Sequence, residues 1–289
     1  MLDSDYQEFP CDLCGNTEAI EVPHSREYQN NEPIHICQCC GFVYVKRRRS
    51  AQRIADVWSQ DIFGEGYSAA IPAVKARLTF VAEFIHQNIG LQNKQVCEIG
   101  AGEGQFLKTI RQPPYEAIVF GVEPSENNCE ILEKLDIPHF NGTIEAYSSD
   151  RGNTVAKFDI VAILWTLENC QDCRAMLAAA YQILNPGGFV IVATGSRILV
   201  PFKKPLYLYL SKNPADTHVS RFSANTLQGI LAVSGFKVTH LNRYIDSNIL
   251  CAIAKKVGGK ETVSWEKDNY LDVYNFFERW HTETKIYYS

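Results

Sequence analysis

The chain has 289 residues, 46% of them hydrophobic and 21% charged, with a formal net charge of -5. That supplies one large core with a small satellite, and the acidic balance makes nucleic acid a poor default partner. No apolar run approaches the roughly 18 residues of a membrane span, and the acidic opening MLDSDYQEFP lacks the apolar stretch of a secretory signal. The expected compartment is therefore the cytoplasm, where clustered cysteines point to metal sooner than to disulfides.

Residues 1–45 hold two Cys-x-x-Cys-Gly knuckles, Cys11/Cys14 followed by Gly15 and Cys37/Cys40 followed by Gly41. Two such pairs aim four thiolates at one ion, and four thiolates close a tetrahedral zinc site with no position left for chemistry. The zinc is expected to be structural, with its binding energy supplying folding energy. Cys39 is an alternative to Cys40, but only Cys37 with Cys40 keeps the two-residue spacing. Cys170 and Cys173 have that spacing without the glycine or a second pair and read as coincidence. Cys97, Cys129 and Cys251 read as core residues.

The basic run Lys46–Arg49 reads as a solvated face. Residues 46–92 form a helical linker or cap, with Leu78, Val81, Ala82, Ile85 and Ile89 at helical spacing and a turn at Gly64-Glu65-Gly66. From 93 to 256 strands alternate with helices: strands at Gln95–Ile99, Ala117–Val122, Phe158–Leu164, Phe189–Ala193, Phe236–His240 and Leu250–Ala254; helices at Gln105–Arg111, Asn127–Leu135, Arg174–Leu184 and Leu227–Val233. Asn185-Pro186-Gly187-Gly188 reads as the turn before the fourth of these strands. Such alternation implies an α/β fold with a mostly parallel sheet and helices on both faces. Residues 197–222 break the pattern and read as a lid insertion. The tail 257–289 carries aromatic residues without a clear assignment.

The strand Val96-Cys97-Glu98-Ile99 runs into Gly100-Ala101-Gly102-Glu103-Gly104 and then a helix. Glycines at alternate positions permit a tight turn and close approach of a ligand to the backbone. About 20 residues on, the next strand ends in Glu123, where a carboxylate can accept the ribose hydroxyls of an adenosine ligand. Glu98 faces the turn and suits a cationic ligand better than a pyrophosphate.

Glu98–Gly104, Glu123-Pro124-Ser125, Phe158–Val161 and Leu184–Gly188 resemble successive motifs of class I S-adenosylmethionine-dependent methyltransferases over roughly residues 70–255. The resemblance implies a Rossmann-like sheet of seven strands, with a small zinc-ribbon-like module ahead of it. It implies that Glu98, Gly100, Ala101, Gly102 and Gly104 hold the methionine part of the cofactor. By the same token Glu123 and Pro124 meet the ribose; Thr143, Ile144 and Glu145, in the turn before the strand at 158, flank the adenine. Leu164–Asn169, Trp165 included, closes near the methyl group, and Tyr67 covers the cofactor. Relatives carry Leu-Glu-His in that closing segment, where this chain has Leu167-Glu168-Asn169.

A zinc module ahead of such a domain is similar to sugar- and polysaccharide-modifying methyltransferases, nucleotide-sugar C-methyltransferases among them. There a Glu-His pair precedes a Ser-aromatic-aromatic-Ser run. His218 matches that histidine and is the expected base, since a neutral imidazole accepts a proton near neutral pH. Arg221 is the expected acceptor ligand, and Lys203-Lys204 an attraction for an anionic acceptor. Thr217 stands where the glutamate would be, which favours an oxygen acceptor over carbon. The expected function is thus methylation of a small-molecule or saccharide acceptor. Alternatives are nucleotide-sugar C-methylation, RNA methylation with the zinc module gripping RNA, and non-catalytic cofactor binding. The RNA reading requires a basic stripe and an Asn/Asp-Pro-Pro-aromatic loop where the chain has Leu164-Trp165-Thr166-Leu167.

Overall fold

The computed structural model describes residues 6–28, 33–57, 72–149, 157–195, 205–206, 218–243, 249–258 and 263–285. The N-terminal segment has no long apolar period and folds in short pieces: β1 (Tyr6–Glu8), β2 (Ala19–Glu21), α1 (Ser25–Tyr28), β3 (Ile34–Cys37), β4 (Val43–Val45), β5 (Arg47–Arg49) and α2 (Ala51–Val57). β2, β3 and β4 pair antiparallel, with Ile36 opposite Ile20 on one side and Val43 on the other. β5 pairs with β1. The basic run is therefore no solvated face at Arg48. Its guanidinium is fully buried and donates to Asp12 Oδ1 at 2.9 Å, to Asp12 Oδ2 at 2.5 Å and to the Gln171 carbonyl at 2.6 Å.

Residues 58–71, with the expected turn at 64–66 and Tyr67, lie outside the described residues. The next helix, α3 (Pro72–Ile89), buries Val74, Leu78, Val81, Ala82 and Ile85 along one stripe. Then come β6 (Gln95–Ile99), α4 (Gln105–Ile110), β7 (Ile118–Glu123), α5 (Glu126–Lys134), β8 (His139–Asn141), α6 (Ile144–Ser149), β9 (Phe158–Leu164), α7 (Cys173–Ile183) and β10 (Leu184–Gly195). The chain closes with β11 (Ser220–Arg221), α8 (Ala224–Val233), β12 (Phe236–Leu241), β13 (Ile249–Lys256) and α9 (Tyr270–Thr284).

Seven of these strands form one sheet in the order β12-β13-β10-β9-β6-β7-β8. Every pairing is parallel except the two made by β13. The central β9 is buried along all its length but Asp159, as a strand covered on both faces must be. Its side chains alternate between two cores: Val161 and Ile163 join one, Ile160, Ala162 and Leu164 the other. The strand order reverses between β6 and β9. Their C-terminal ends therefore flank the crevice where ligands bind in open α/β sheets.

Four readings of the sequence are corrected. Ile144 and Glu145 open a helix, α6, rather than lying in a turn. Asn185–Gly188 belongs to β10, whose register shifts between Leu184 and Phe189. The tail forms α9, which packs Val273, Phe277 and Trp280 on Val22, Ile34, Ile36 and Val43. The end of the expected lid is a strand: β11 extends the N-terminal sheet, with Ser220 opposite Tyr44 and Arg221 opposite Val43. The rest of that lid, with Lys203 and Lys204, lies outside the described residues except for 205–206. No helix among the described residues is long and apolar enough to cross a membrane.

Candidate cofactor and acceptor site

The first strand of the alternating region delivers Glu98 and the glycine turn to the crevice. Gly100 has φ 72°, and a Cβ there would stand 2.6 Å from the Thr166 side chain. Only glycine lets the loop after β9 close against the turn. The amide groups of Gly100 and Ala101 donate to the Val122 carbonyl at 2.8 and 3.3 Å, tying the turn to β7.

Glu123, the last residue of β7, is buried and fixed by three donors. The Gly102 amide donates to Oε2 at 2.7 Å; the Ser125 amide and Asn128 Nδ2 donate to Oε1 at 3.0 and 3.3 Å. Burial pushes its carboxyl above the ordinary range, and these donors pull it back. A carboxylate has about four acceptor positions, so the group is held in place with capacity for a further donor.

Glu98 is different. It is 4% exposed, and its Oε2 has no hydrogen-bond partner among the described residues. Burial, with the Glu123 charge adding to it, raises its pKa well above the usual carboxylate range. Buried acids are ordinarily satisfied. An unsatisfied one beside a glycine turn at the switch point fits a cationic or hydrogen-bond-donating ligand.

All but one of the remaining expected cofactor residues are among the described residues. Pro124 follows Glu123 and is half-buried, as are Thr143 and Glu145, while Ile144 is buried at the start of α6. The Ala146 amide donates to Thr143 Oγ1 at 3.3 Å. Trp165 adopts φ 52°, its amide donates to the Ala193 carbonyl at 2.7 Å, and the Arg77 guanidinium lies 4.3 Å from its ring centroid. Tyr67 lies outside the described residues.

His218 is half-buried just ahead of β11. Arg221 is buried, not a surface arginine, and its Nη1 donates to the His218 carbonyl at 3.0 Å. Sequence reasoning named Glu168 as part of the closing loop but gave it no role. It sits in the short turn Leu167–Asn169, only 2% exposed, with Oε2 lacking a partner among the described residues. Burial raises its pKa, opposed by the His218 imidazole, a hydrogen bond from Thr194 and the Arg77 charge.

The four expected metal ligands converge: the Sγ atoms of Cys11, Cys14, Cys37 and Cys40 all lie within 4.8 Å of one another. Cys11–Cys40 and Cys14–Cys37 are 3.6 and 3.5 Å apart. Tetrahedral zinc with Zn–S near 2.3 Å needs sulfurs about 3.8 Å apart, so the donor set fits that ion. Crowded thiol–thiol hydrogen bonds drive Cys37 down and Cys11 and Cys40 up. Cys39 points out to Lys267 Nζ at 3.4 Å. The Cys170 and Cys173 sulfurs are buried 3.8 Å from each other and stand outside the four-sulfur group.

A family profile described as "Methyltransferase domain" matches residues 74–241, more than half of the chain. Among curated proteins, the ubiquinone biosynthesis O-methyltransferase of Pasteurella multocida is 27% identical over 135 residues, covering 43% of this chain and 54% of that protein. Its counterpart from Aromatoleum aromaticum is 28% identical over 150 residues, covering 47% and 60%. The chain thus spans little more than half the length of these relatives. A solved S-adenosylmethionine-dependent methyltransferase from Thermotoga maritima matches with a TM-score of 0.51 at 22% identity, over 70% of this chain and 99% of that one. The CurJ carbon methyltransferase matches with a TM-score of 0.52 at 15% identity, over 66% and 57%. At such identities these structures share the fold alone. With the seven-stranded order, the glycine turn and the family profile in agreement, residues 74–241 are an S-adenosylmethionine-dependent methyltransferase domain, and the chain belongs to the methyltransferase domain family.

Proposed function

We propose that the whole protein transfers a methyl group from S-adenosylmethionine to a hydroxyl oxygen of a small-molecule acceptor, a saccharide included, with a structural zinc in its N-terminal module. The observation that carries the reading is the Glu98 carboxyl, buried and short of a partner beside Gly100 and Gly102. Glu98 would receive the amino group of the methionine part, the Gly100–Gly104 turn its backbone, and Glu123 the ribose hydroxyls. Pro124, Thr143, Ile144 and Glu145 would border the adenosine. S-adenosylmethionine, when bound, supplies the electrophilic methyl. The protein's task is to align the acceptor, exclude water and accept a proton, and His218 is the group assigned to accept it. Arg221 fixes the His218 backbone and is assigned to the acceptor side. Oxygen as the accepting atom is supported by the names of the curated relatives and by Thr217, which stands where the resembling C-methyltransferases carry a glutamate.

Calorimetric titration of full-length, zinc-loaded protein with S-adenosylhomocysteine tests the reading. Micromolar-range binding is expected, weakened by about 1–3 kcal/mol in Glu123→Ala, the worth of a charge-assisted hydrogen bond. No binding by folded wild type sinks the assignment.

A further inference from the structure

The donors that hold Glu123 are shared unevenly between its two oxygens. Oε1 receives the Ser125 amide at 3.0 Å and Asn128 Nδ2 at 3.3 Å, while Oε2 receives the Gly102 amide at 2.7 Å. Each carboxylate oxygen has about two acceptor positions, so among the described residues the vacant one lies on Oε2. Two of the three donors are backbone amides, fixed by the fold. The third is the side chain of Asn128, 1% exposed, in the first turn of α5. Its own amide donates to Ser125 Oγ at 3.4 Å, and Cys129 Sγ donates to the Glu123 carbonyl at 3.3 Å. The start of the helix is thus folded onto the end of β7. A carboxylate accepts and does not donate, so the amide nitrogen of Asn128 is the atom that faces it. The amide oxygen, Oδ1, is left buried without a partner among the described residues. An unpaired buried oxygen is unfavourable, and an apolar side chain of similar volume would avoid it. Packing alone therefore does not account for an asparagine here; the bond to Glu123 does.

We propose that Asn128 is a positioning residue for the cofactor's ribose: by filling Oε1 of Glu123 it steers one ribose hydroxyl to the vacant position on Oε2 and makes the two hydroxyls unequal. The inference rests on the methyl-transfer reading, in which Glu123 meets that ribose. The hydroxyl at Oε2 gains a hydrogen bond to a charged group, the stronger kind. Its neighbour on the ribose must share Oε1 with two donors already present, so its bond contributes little. Burial raises the Glu123 pKa and the Asn128 hydrogen bond lowers it, so Asn128 also helps to keep the group an ionised acceptor. Without Asn128 each oxygen has one backbone donor and one vacant position, and the two hydroxyls become equivalent.

The test needs no acceptor. Full-length, zinc-loaded protein is titrated calorimetrically with S-adenosylhomocysteine and with its 2′-deoxy and 3′-deoxy analogues. In wild type, loss of one hydroxyl is expected to weaken binding about tenfold or more, as loss of a hydrogen bond to a charged group does, and loss of the other by less than about threefold. In Asn128→Leu, which keeps the volume and removes the unpaired Oδ1, the two analogues should bind within about threefold of each other. A merely structural role for Asn128 would weaken all three ligands by one common factor and leave the wild-type ratio between the analogues intact; that result in a folded variant overturns the proposal. If Asn128→Leu does not fold, wild type decides, because equal losses for the two analogues also overturn it. Failure of folded wild type to bind S-adenosylhomocysteine itself sinks the cofactor reading, whereas tight binding with equivalent hydroxyls sinks the role of Asn128 alone.

Discussion

Replacing Glu98 by glutamine should strengthen the ligand-free protein and weaken its hold on ligand. The side chain keeps its shape and volume, so packing is little changed. What changes is charge: a carboxyl that is 4% exposed and lacks a partner at Oε2 becomes a neutral amide. An unsatisfied buried polar group costs about 1–3 kcal/mol, more when charged. At pH 8, where the penalty on the ionised form is largest, Glu98→Gln should therefore raise the melting temperature of ligand-free protein by a few degrees. The same change removes the counter-charge for the ligand's amino group. A hydrogen bond to a charged group contributes about 1.5–3 kcal/mol, so affinity for S-adenosylhomocysteine should fall roughly 10- to 150-fold. Thermal unfolding and calorimetry on the same preparations measure both signs. If the variant melts lower and binds equally well, Glu98 is a structural acid and the reasoning fails.

Removing the proton rather than the carboxylate tests the same point. Burial and the Glu123 charge raise the Glu98 pKa, so its contribution to stability is complete below the ordinary carboxylate pKa and is lost as pH rises through the raised value. Glu123 has the same sign. The melting temperature of ligand-free wild type should therefore decline relative to Glu98→Gln as pH increases, and ligand binding in mildly acidic buffer should release a proton, measurable as a buffer-dependent binding enthalpy. Asp12→Ala leaves the Arg48 guanidinium buried without its carboxylate and should cost about 3–5 kcal/mol in denaturant unfolding; a loss under 1 kcal/mol would show that the Gln171 carbonyl and water compensate. Metal analysis should return one zinc per chain, lost in Cys14→Ser. Chelation should abolish hydrogen-exchange protection of the Val45 amide, which donates to the Val219 carbonyl across β4 and β11, before it affects Val96 and Cys97 in β6.

Legibility in the sequence followed signal length. The five central apolar runs and the helix at 72–89 are long enough to show their period, and Phe158–Leu164 is read to the residue. The edge strand His139–Asn141 is not, because three residues with a polar end carry no period. Helix Ile144–Ser149 was hidden for the same reason; its Thr143 cap makes it look like a turn. The glycine turn and the strand-end Glu123 were readable because glycine spacing and strand-end acids are local features. Glu168 was given no role because its burial in the turn after β9 comes from the packing of elements remote in sequence, which local pattern does not show. Arg48 misled because a basic run reveals nothing about which member finds a buried partner, and Asp12 is remote from it in sequence.

The four-cysteine module serves the proposed function through shared backbone rather than shared chemistry. A closed four-thiolate site can do no methyl transfer, yet β4, one residue past the second knuckle and Phe42, is hydrogen-bonded to the strand that follows His218. Asp268 ties the same knuckle to the opposite flank: its amide donates to the Cys40 carbonyl at 3.2 Å, and its carboxylate accepts from Ser223 Oγ at 2.6 Å and Asn225 Nδ2 at 3.0 Å at the start of α8. Gly41 permits this approach, since a Cβ there would stand 2.6 Å from Asp268. His218 is thus bracketed by elements anchored on the knuckle, while Glu98 and Glu123 are anchored on the large sheet. A residue just ahead of a two-residue strand gains little order from that strand alone, because an isolated strand pair this short is marginal in water. With the proposed zinc bound, binding energy at the four sulfurs would supply that segment's rigidity. On the proposed reading, the segment that carries His218 is ordered by the module, and Glu98 and Glu123 by the sheet.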